Sequence, residues 1–235
     1  MFRAALTSVT GVLRRPRATL RQVAAAPRWL GLLAALTVAA AVSNAMVMST
    51  PVGQQALVDQ WERTALAFGQ VVDDDRYAEL QAASRHGALY GIASAVANVA
   101  LEIVVAALAN RGIFGRPRGP KPDAGGFGMV MAVATHTGVI LALRVIVSAL
   151  LAYVRETTAS ATSLGIWFPA FDEAAPLARL LGLIDLFAIW WAVVLAIGVS
   201  VLYQRPATKL ALGFIGGYAV IAAALAIVMA ALGGS

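Results

Sequence analysis

Apolar runs dominate this chain, and the short polar intervals between them carry most of its charge. A helix that crosses a bilayer needs about 20 mostly apolar residues at a rise of about 1.5 Å each. Stretches at approximately 29–49, 87–109, 127–154, 178–203 and 210–232 meet that requirement, each bounded by charge, proline or glycine as helix ends are. Between the first two lies a polar segment, residues 50–86, in which Leu57, Trp61, Leu66 and Phe68 roughly keep a helical period. It reads as one or two short amphipathic helices. Asp73, Asp74 and Asp75 suit the start of one, because acids there cap free N–H groups and meet the positive end of the helix dipole. Three adjacent aspartates lack the alternating ligand spacing of a calcium loop. The pattern predicts an all-α polytopic membrane protein. Residues 29–235 form a bundle of five transmembrane helices that includes a short helical extracytoplasmic segment at 50–86, and residues 1–28 form a basic amphipathic cytoplasmic segment.

Composition agrees with the pattern. Of 235 residues 60% are hydrophobic and 13% charged, against about 25% charged in an ordinary soluble domain, and the mean hydropathy is +0.78. With no cysteine, disulfides, thiolate catalysis and cysteine-ligated metals are excluded. His86 and His136 are too few for a histidine-rich metal site. No nucleophile with an adjacent base, phosphate-cradling loop or pair of catalytic carboxylates is legible. "GRPRGPKPDAGGFG" lacks the lysine and Ser/Thr of a P-loop and reads as a flexible basic loop. Neither a catalytic residue, a cofactor nor a metal is expected.

The net charge of +6 is distributed as membrane topology, not as a nucleic-acid footprint. Arg3, Arg14, Arg15, Arg17, Arg21 and Arg28 precede the first span; Arg111, Arg116, Arg118 and Lys121 lie between the second and third; Arg205 and Lys209 lie between the fourth and fifth. Arg63, Arg76, Arg85 and Arg155, in the opposite intervals, sit among more numerous acids. Cytoplasmic loops keep their Lys and Arg, so the N-terminus is expected inside and the C-terminus outside, in a cytoplasmic (inner) membrane. Residues 2–26 are expected to lie on the cytoplasmic lipid face.

Glu102, His136, Arg144 and Asp185 fall inside the apolar runs, where an ionisable residue raises a functional question by default. Counted from the span centres, Glu102 matches His136 in depth and Arg144 matches Asp185, so two cross-helix pairs are expected. Helical spacing adds a polar stripe of Ser94, Asn98, Glu102, Ala106 and Asn110. Asp185 stands beside a small-residue row, Ala188, Ala192, Ala196 and Ser200, that lets a neighbouring helix approach, while Trp190, Val194 and Ile197 are expected to face lipid. Gly213 and Gly217 have the spacing of a close helix contact, either within one chain or in a homo-oligomer.

Three stretches carry a family resemblance: "LRRPRATLRQVAAAPRWLGLLAAL", "FGMVMAVATHTGVILALRVIVSALL" and "LIDLFAIWWAVVLAIGVSVLYQRPATKLALGF". In this order the chain resembles the bacterial branch of the Yip-one domain family, polytopic proteins whose eukaryotic relatives are known as Rab-interacting proteins. The resemblance implies five spans and places Asp185, Phe187, Trp190 and Gly198 in a recurring signature; it implies no reaction. The alanine- and arginine-rich composition looks bacterial, so the GTPase and vesicle roles of eukaryotic members are not carried over. The expected function is a non-enzymatic scaffold or partner-binding subunit in membrane organisation or trafficking. Its partners would be the lipid bilayer and an unknown membrane protein, with no nucleic acid. The alternative is a small transporter or permease-like subunit using Glu102, His136, Arg144 and Asp185.

Overall fold

The computed structural model describes residues 9–117, 126–155, 162–168 and 175–233. Arg3, Arg118, Lys121 and most of the basic glycine-rich loop lie outside the described residues. Five helices are long and apolar enough to span a membrane: Leu30–Met48, Gly87–Phe114, Gly126–Arg155, Leu186–Tyr203 and Ala207–Leu232. No strand occurs among the described residues, only one isolated bridge between Ser163 and Asp185. The protein is a polytopic helical membrane bundle. Helix Pro16–Ala25 precedes the first span, helices Pro51–Ala67 and Asp74–Ser84 connect the first two spans, and helix Pro176–Leu183 precedes the fourth.

By its contacts the chain divides into two compact units. The first comprises Met1–Ala39, Ala95–Leu143 and Ala188–Gly216; the second comprises Ala40–Ser94, Arg144–Phe187 and Gly217–Ser235. Lipid offers helices no hydrophobic reason to associate, so close van der Waals contact at small residues has to bring them together. The first unit is built this way around the start of the third span, where every residue from Met129 to Thr137 is buried. A Cβ on Gly138 would overlap Ile103 Cδ1 of the second span, and one on Gly198 would overlap Val133 Cγ1 and stand 3.3 Å from Leu20 Cδ1. Leu20, Val23 and Ala24 of the N-terminal helix are buried, and that helix packs on Gly126–Thr137. Its apolar face is therefore covered by protein, whereas the sequence reading laid it on lipid; Arg17 and Arg21 remain exposed.

In the second unit the same device recurs with main chain in place of side chains. A Cβ on Gly91 would lie 2.9 Å from Ala45 Cα, and those on Gly53 and Gly87 would overlap the carbonyls of Val47 and Met48. Asn44 Nδ2 donates to Gly91 O at 3.1 Å and to Ser94 Oγ at 2.7 Å, so an amide locks the first span to the second. The connecting helices start on side-chain caps. Thr50 Oγ1 accepts from Gly53 N–H ahead of Pro51, and Asp73 Oδ1 accepts from Arg76 N–H at 2.9 Å with Asp74 and Asp75 in the first turn. The acidic run is a helix start, as its pattern predicts.

The second span carries a π-helical segment, Val96–Leu101, between Gly87–Ala95 and Glu102–Phe114. Its buried positions Gly91, Ala95, Val99, Ile103 and Ala107 recur every fourth residue. At about 3.6 residues per turn that repeat drifts about 40° at each step, nearly half a circle over the run. The wider π turn absorbs much of the drift and keeps one face buried.

Two further differences from the sequence pattern have local causes. The apolar run 178–203 is two helices, Pro176–Leu183 and Leu186–Tyr203, because Asp185 offers the main chain a competing acceptor. Val194 is buried with Leu195 and Ala196, not turned to lipid, because this stretch packs on nearly all sides. Trp190 is exposed as expected.

The Gly198 crossing yields a direct test. Gly198→Ala is expected to destabilise the protein by about 1–3 kcal/mol, the cost of overpacking, in denaturant unfolding in mild detergent. Adding Val133→Ala should recover most of that loss. Gly213→Ala, whose Cβ meets nothing within 4 Å, should leave the midpoint unchanged.

Candidate functional site: the Asp185 junction

Where the helix breaks between Leu183 and Leu186, main-chain groups on both sides lose their helical partners, and in lipid each would cost several kcal/mol if left unpaired. The structure satisfies them in turn. Ile184 is extended, with φ −87° and ψ 107°, and its carbonyl accepts from Leu164 N–H at 2.8 Å while Leu186 N–H donates to Thr162 O at 3.0 Å. Asp185 N–H donates to Tyr218 Oη at 3.0 Å, and the Tyr218 hydroxyl donates to Leu183 O at 2.8 Å. Phe187 N–H donates to Asp185 Oδ1 at 2.7 Å, which makes Asp185 the N-cap of the fourth span. The other carboxylate oxygen accepts the Thr162 hydroxyl at 2.6 Å. An anionic cap at a helix start is also favoured by the helix dipole. Arg179, on the preceding helix, donates to Met229 O in the last turns of the fifth span, a second tie between these segments.

Asp185 thus lies just outside the spanning helix. The carboxylate does the work of a cap, and both of its oxygens take donors from the chain itself. Thr162, Tyr218 and Arg179 escape sequence reasoning because their partners are 23, 33 or 35, and 50 residues away. The only local signal was an Asp immediately before a long apolar run, the position of a helix cap.

The other polar residues are distributed over both units. His136 is buried, and its Nδ1 stands 2.7 Å from Ala132 O in the same helix, which puts the proton on Nδ1. Glu102, half-buried, opens the α-helix that follows the π segment, and half-buried Asn98 lies within that segment. Arg144 is half-buried. Glu102 and His136 belong to the first unit, Arg144 and Asp185 to the second, so each expected pair falls within one unit. Ala192, Ala196 and Ser200 are buried and Ala188 is half-buried, whereas nothing lies within 4 Å of a Cβ on Gly213 or Gly217. Asn44, which the sequence reading passed over, makes a cross-helix bond that could have been suspected from an amide inside an apolar run. Among the described residues no group of three or more His, Asp or Glu is placed to hold a metal ion. Chemically, the junction fixes a helix end.

The profile of the Yip1 domain matches residues 10–233. No curated protein and no solved structure gives a significant match.

The cap can be separated from its charge by substitution. Asp185→Asn, which keeps the capping oxygen, is expected to hold most of the stability, while Asp185→Ala should lose about 0.5–2 kcal/mol. Tyr218→Phe, which strands Asp185 N–H and Leu183 O, should cost about 1–3 kcal/mol. Thermal unfolding in one detergent ranks all three against the parent, and an equal loss in Asn and Ala would remove the capping role.

Proposed function

We propose, because the chain belongs to the Yip1 domain family, that it is a non-enzymatic scaffold in membrane organisation or trafficking, binding a protein partner through a cationic cytoplasmic face. The observation that carries this reading is the segregation of charge. The stretches of the first unit hold twelve Lys or Arg and two acidic residues; those of the second hold six and ten. By the retention of Lys and Arg on the cytoplasmic side, the N-terminal segment, the loop between the second and third spans, and the turn at Gln204–Pro206 are cytoplasmic. The C-terminus is extracytoplasmic, and the membrane is the cytoplasmic (inner) membrane of a bacterium. Arg14, Arg17, Arg21, Arg116, Arg205 and Lys209 are exposed, so this face attracts an acidic partner surface.

In the same reading Glu102, His136, Arg144 and Asp185 hold helices in register and do not form a conduction path. Support comes from the engagement of Asp185 by Thr162 and Phe187 and of His136 Nδ1 by Ala132. The open Cβ positions of Gly213 and Gly217 leave room for a second copy along the fifth span.

The chain has no cysteine, so topology can be read with single-cysteine variants. A membrane-impermeant maleimide should label Val71→Cys on intact spheroplasts and Arg205→Cys only after lysis; the reverse pattern would invert the orientation. A photo-crosslinker at Arg116 in living cells should give a discrete protein adduct that weakens when Arg14 and Arg17 are replaced by Glu. In proteoliposomes the parent, Glu102→Gln and Asp185→Asn should all show background proton uptake. Uptake by the parent that is lost in Glu102→Gln would replace the scaffold with a transporter.

A further inference from the structure

Helices Pro51–Ala67 and Asp74–Ser84 and the start of the second span enclose an open cleft of about 610 Å³, entirely within the second unit. Its size is that of a small-molecule site, and its chemistry is divided. Trp61 and Tyr90 meet edge to face with ring centroids 4.8 Å apart, and Phe68 and Leu80 extend the apolar wall. Arg76 and Glu79 also line it, paired at 2.6 Å with side chains 52% and 67% exposed. Tyr90 stands in the first turn of the second span, the level at which a helix leaves hydrocarbon and where Trp and Tyr rings gather. The cleft therefore stands at the level of the headgroup region, with aromatic surface and one charge of each sign.

Such a pair is cheap to open. An exposed ion pair contributes at most about 1 kcal/mol, so a ligand that presents a negative and a positive group can take over both members. A purely anionic headgroup is disfavoured, because residues 50–86 carry three Arg against six Asp or Glu. We propose that this cleft binds the headgroup of a zwitterionic membrane phospholipid. The phosphate sits on the Arg76 guanidinium. The ammonium lies against Glu79 and the faces of the aromatic rings, and the glycerol and first acyl carbons lie along Phe68 and Leu80. The site is independent of the cytoplasmic face proposed above, and neither its success nor its failure bears on that reading.

Native mass spectrometry of the delipidated full-length protein tests the assignment. Phosphatidylethanolamine and phosphatidylglycerol of identical acyl chains are titrated separately, with soluble glycerophosphoethanolamine as a third arm. Phosphatidylethanolamine should bind at one saturable site, roughly tenfold more tightly than phosphatidylglycerol. Arg76→Gln, Glu79→Gln and Trp61→Leu should each weaken it roughly tenfold, a loss of one charge-assisted or cation–π contact. Arg76 and Glu79 are exposed, so their variants test binding without disturbing the fold, which circular dichroism verifies. Equal binding of the two lipids, unchanged binding in both charge variants, no saturable site, or equal binding of the soluble headgroup would each overturn the assignment.

Discussion

A backbone that leaves helical geometry near lipid has to find every hydrogen bond inside the protein, and the Asp185 junction is organised around that constraint. Breaking a helix between Leu183 and Leu186 frees a set of carbonyls and N–H groups, and partners from two distant parts of the chain, residues 162–164 and Tyr218, converge on them. A carboxylate, a phenol and residues 162–164, extended at Ser163, take the place of helical bonding. The segment before the break and the break itself are thereby fixed to the fifth span, through Tyr218 at Leu183 and Asp185 and through Arg179 at Met229.

Close approach is the complementary constraint. Where hydrophobic association is weak, contact depends on surfaces that fit, and glycine removes the one atom that would hold helices apart. The first unit uses it against side chains at Gly138 and Gly198; the second uses it against main chain at Gly53, Gly87 and Gly91. Adding a methyl group is therefore not equivalent in the two places. A side chain can rotate out of the way, whereas Ala45 Cα cannot move without its helix.

The spans were readable because five long apolar runs leave almost no alternative in a chain with so little charge, and a period of four or a charged flank is visible in one dimension. Asp73 was readable for a similar reason, since a cap and the N–H that donates to it lie three residues apart. The break at Asp185 was not, because apolar residues on both sides conceal it and its partners are remote in sequence. The same limit applied to Asn44, whose partners Gly91 and Ser94 lie on another helix. The apolar face of Pro16–Ala25 was legible, but not what covers it: lipid and the third span ask for the same residues at Leu20, Val23 and Ala24. Hydropathy records that a surface is apolar, not whether protein or bilayer lies against it.

The π segment of the second span has a consequence for how the chain tolerates changes in length. A widened turn of this kind holds about one residue more than an α-helix needs. Deleting a single residue from Val96–Leu101 would leave the span apolar and long enough to insert, so its topology and expression would be unaltered. The π segment would close to α turns and the helix beyond would keep nearly its register, with Ile103 still against Gly138 and Val105 and Leu108 still exposed. The same deletion one turn later, in regular α-helix, would swing the rest of the span by about 100° and turn its buried face outward, so the slack in residue count is confined to this one turn.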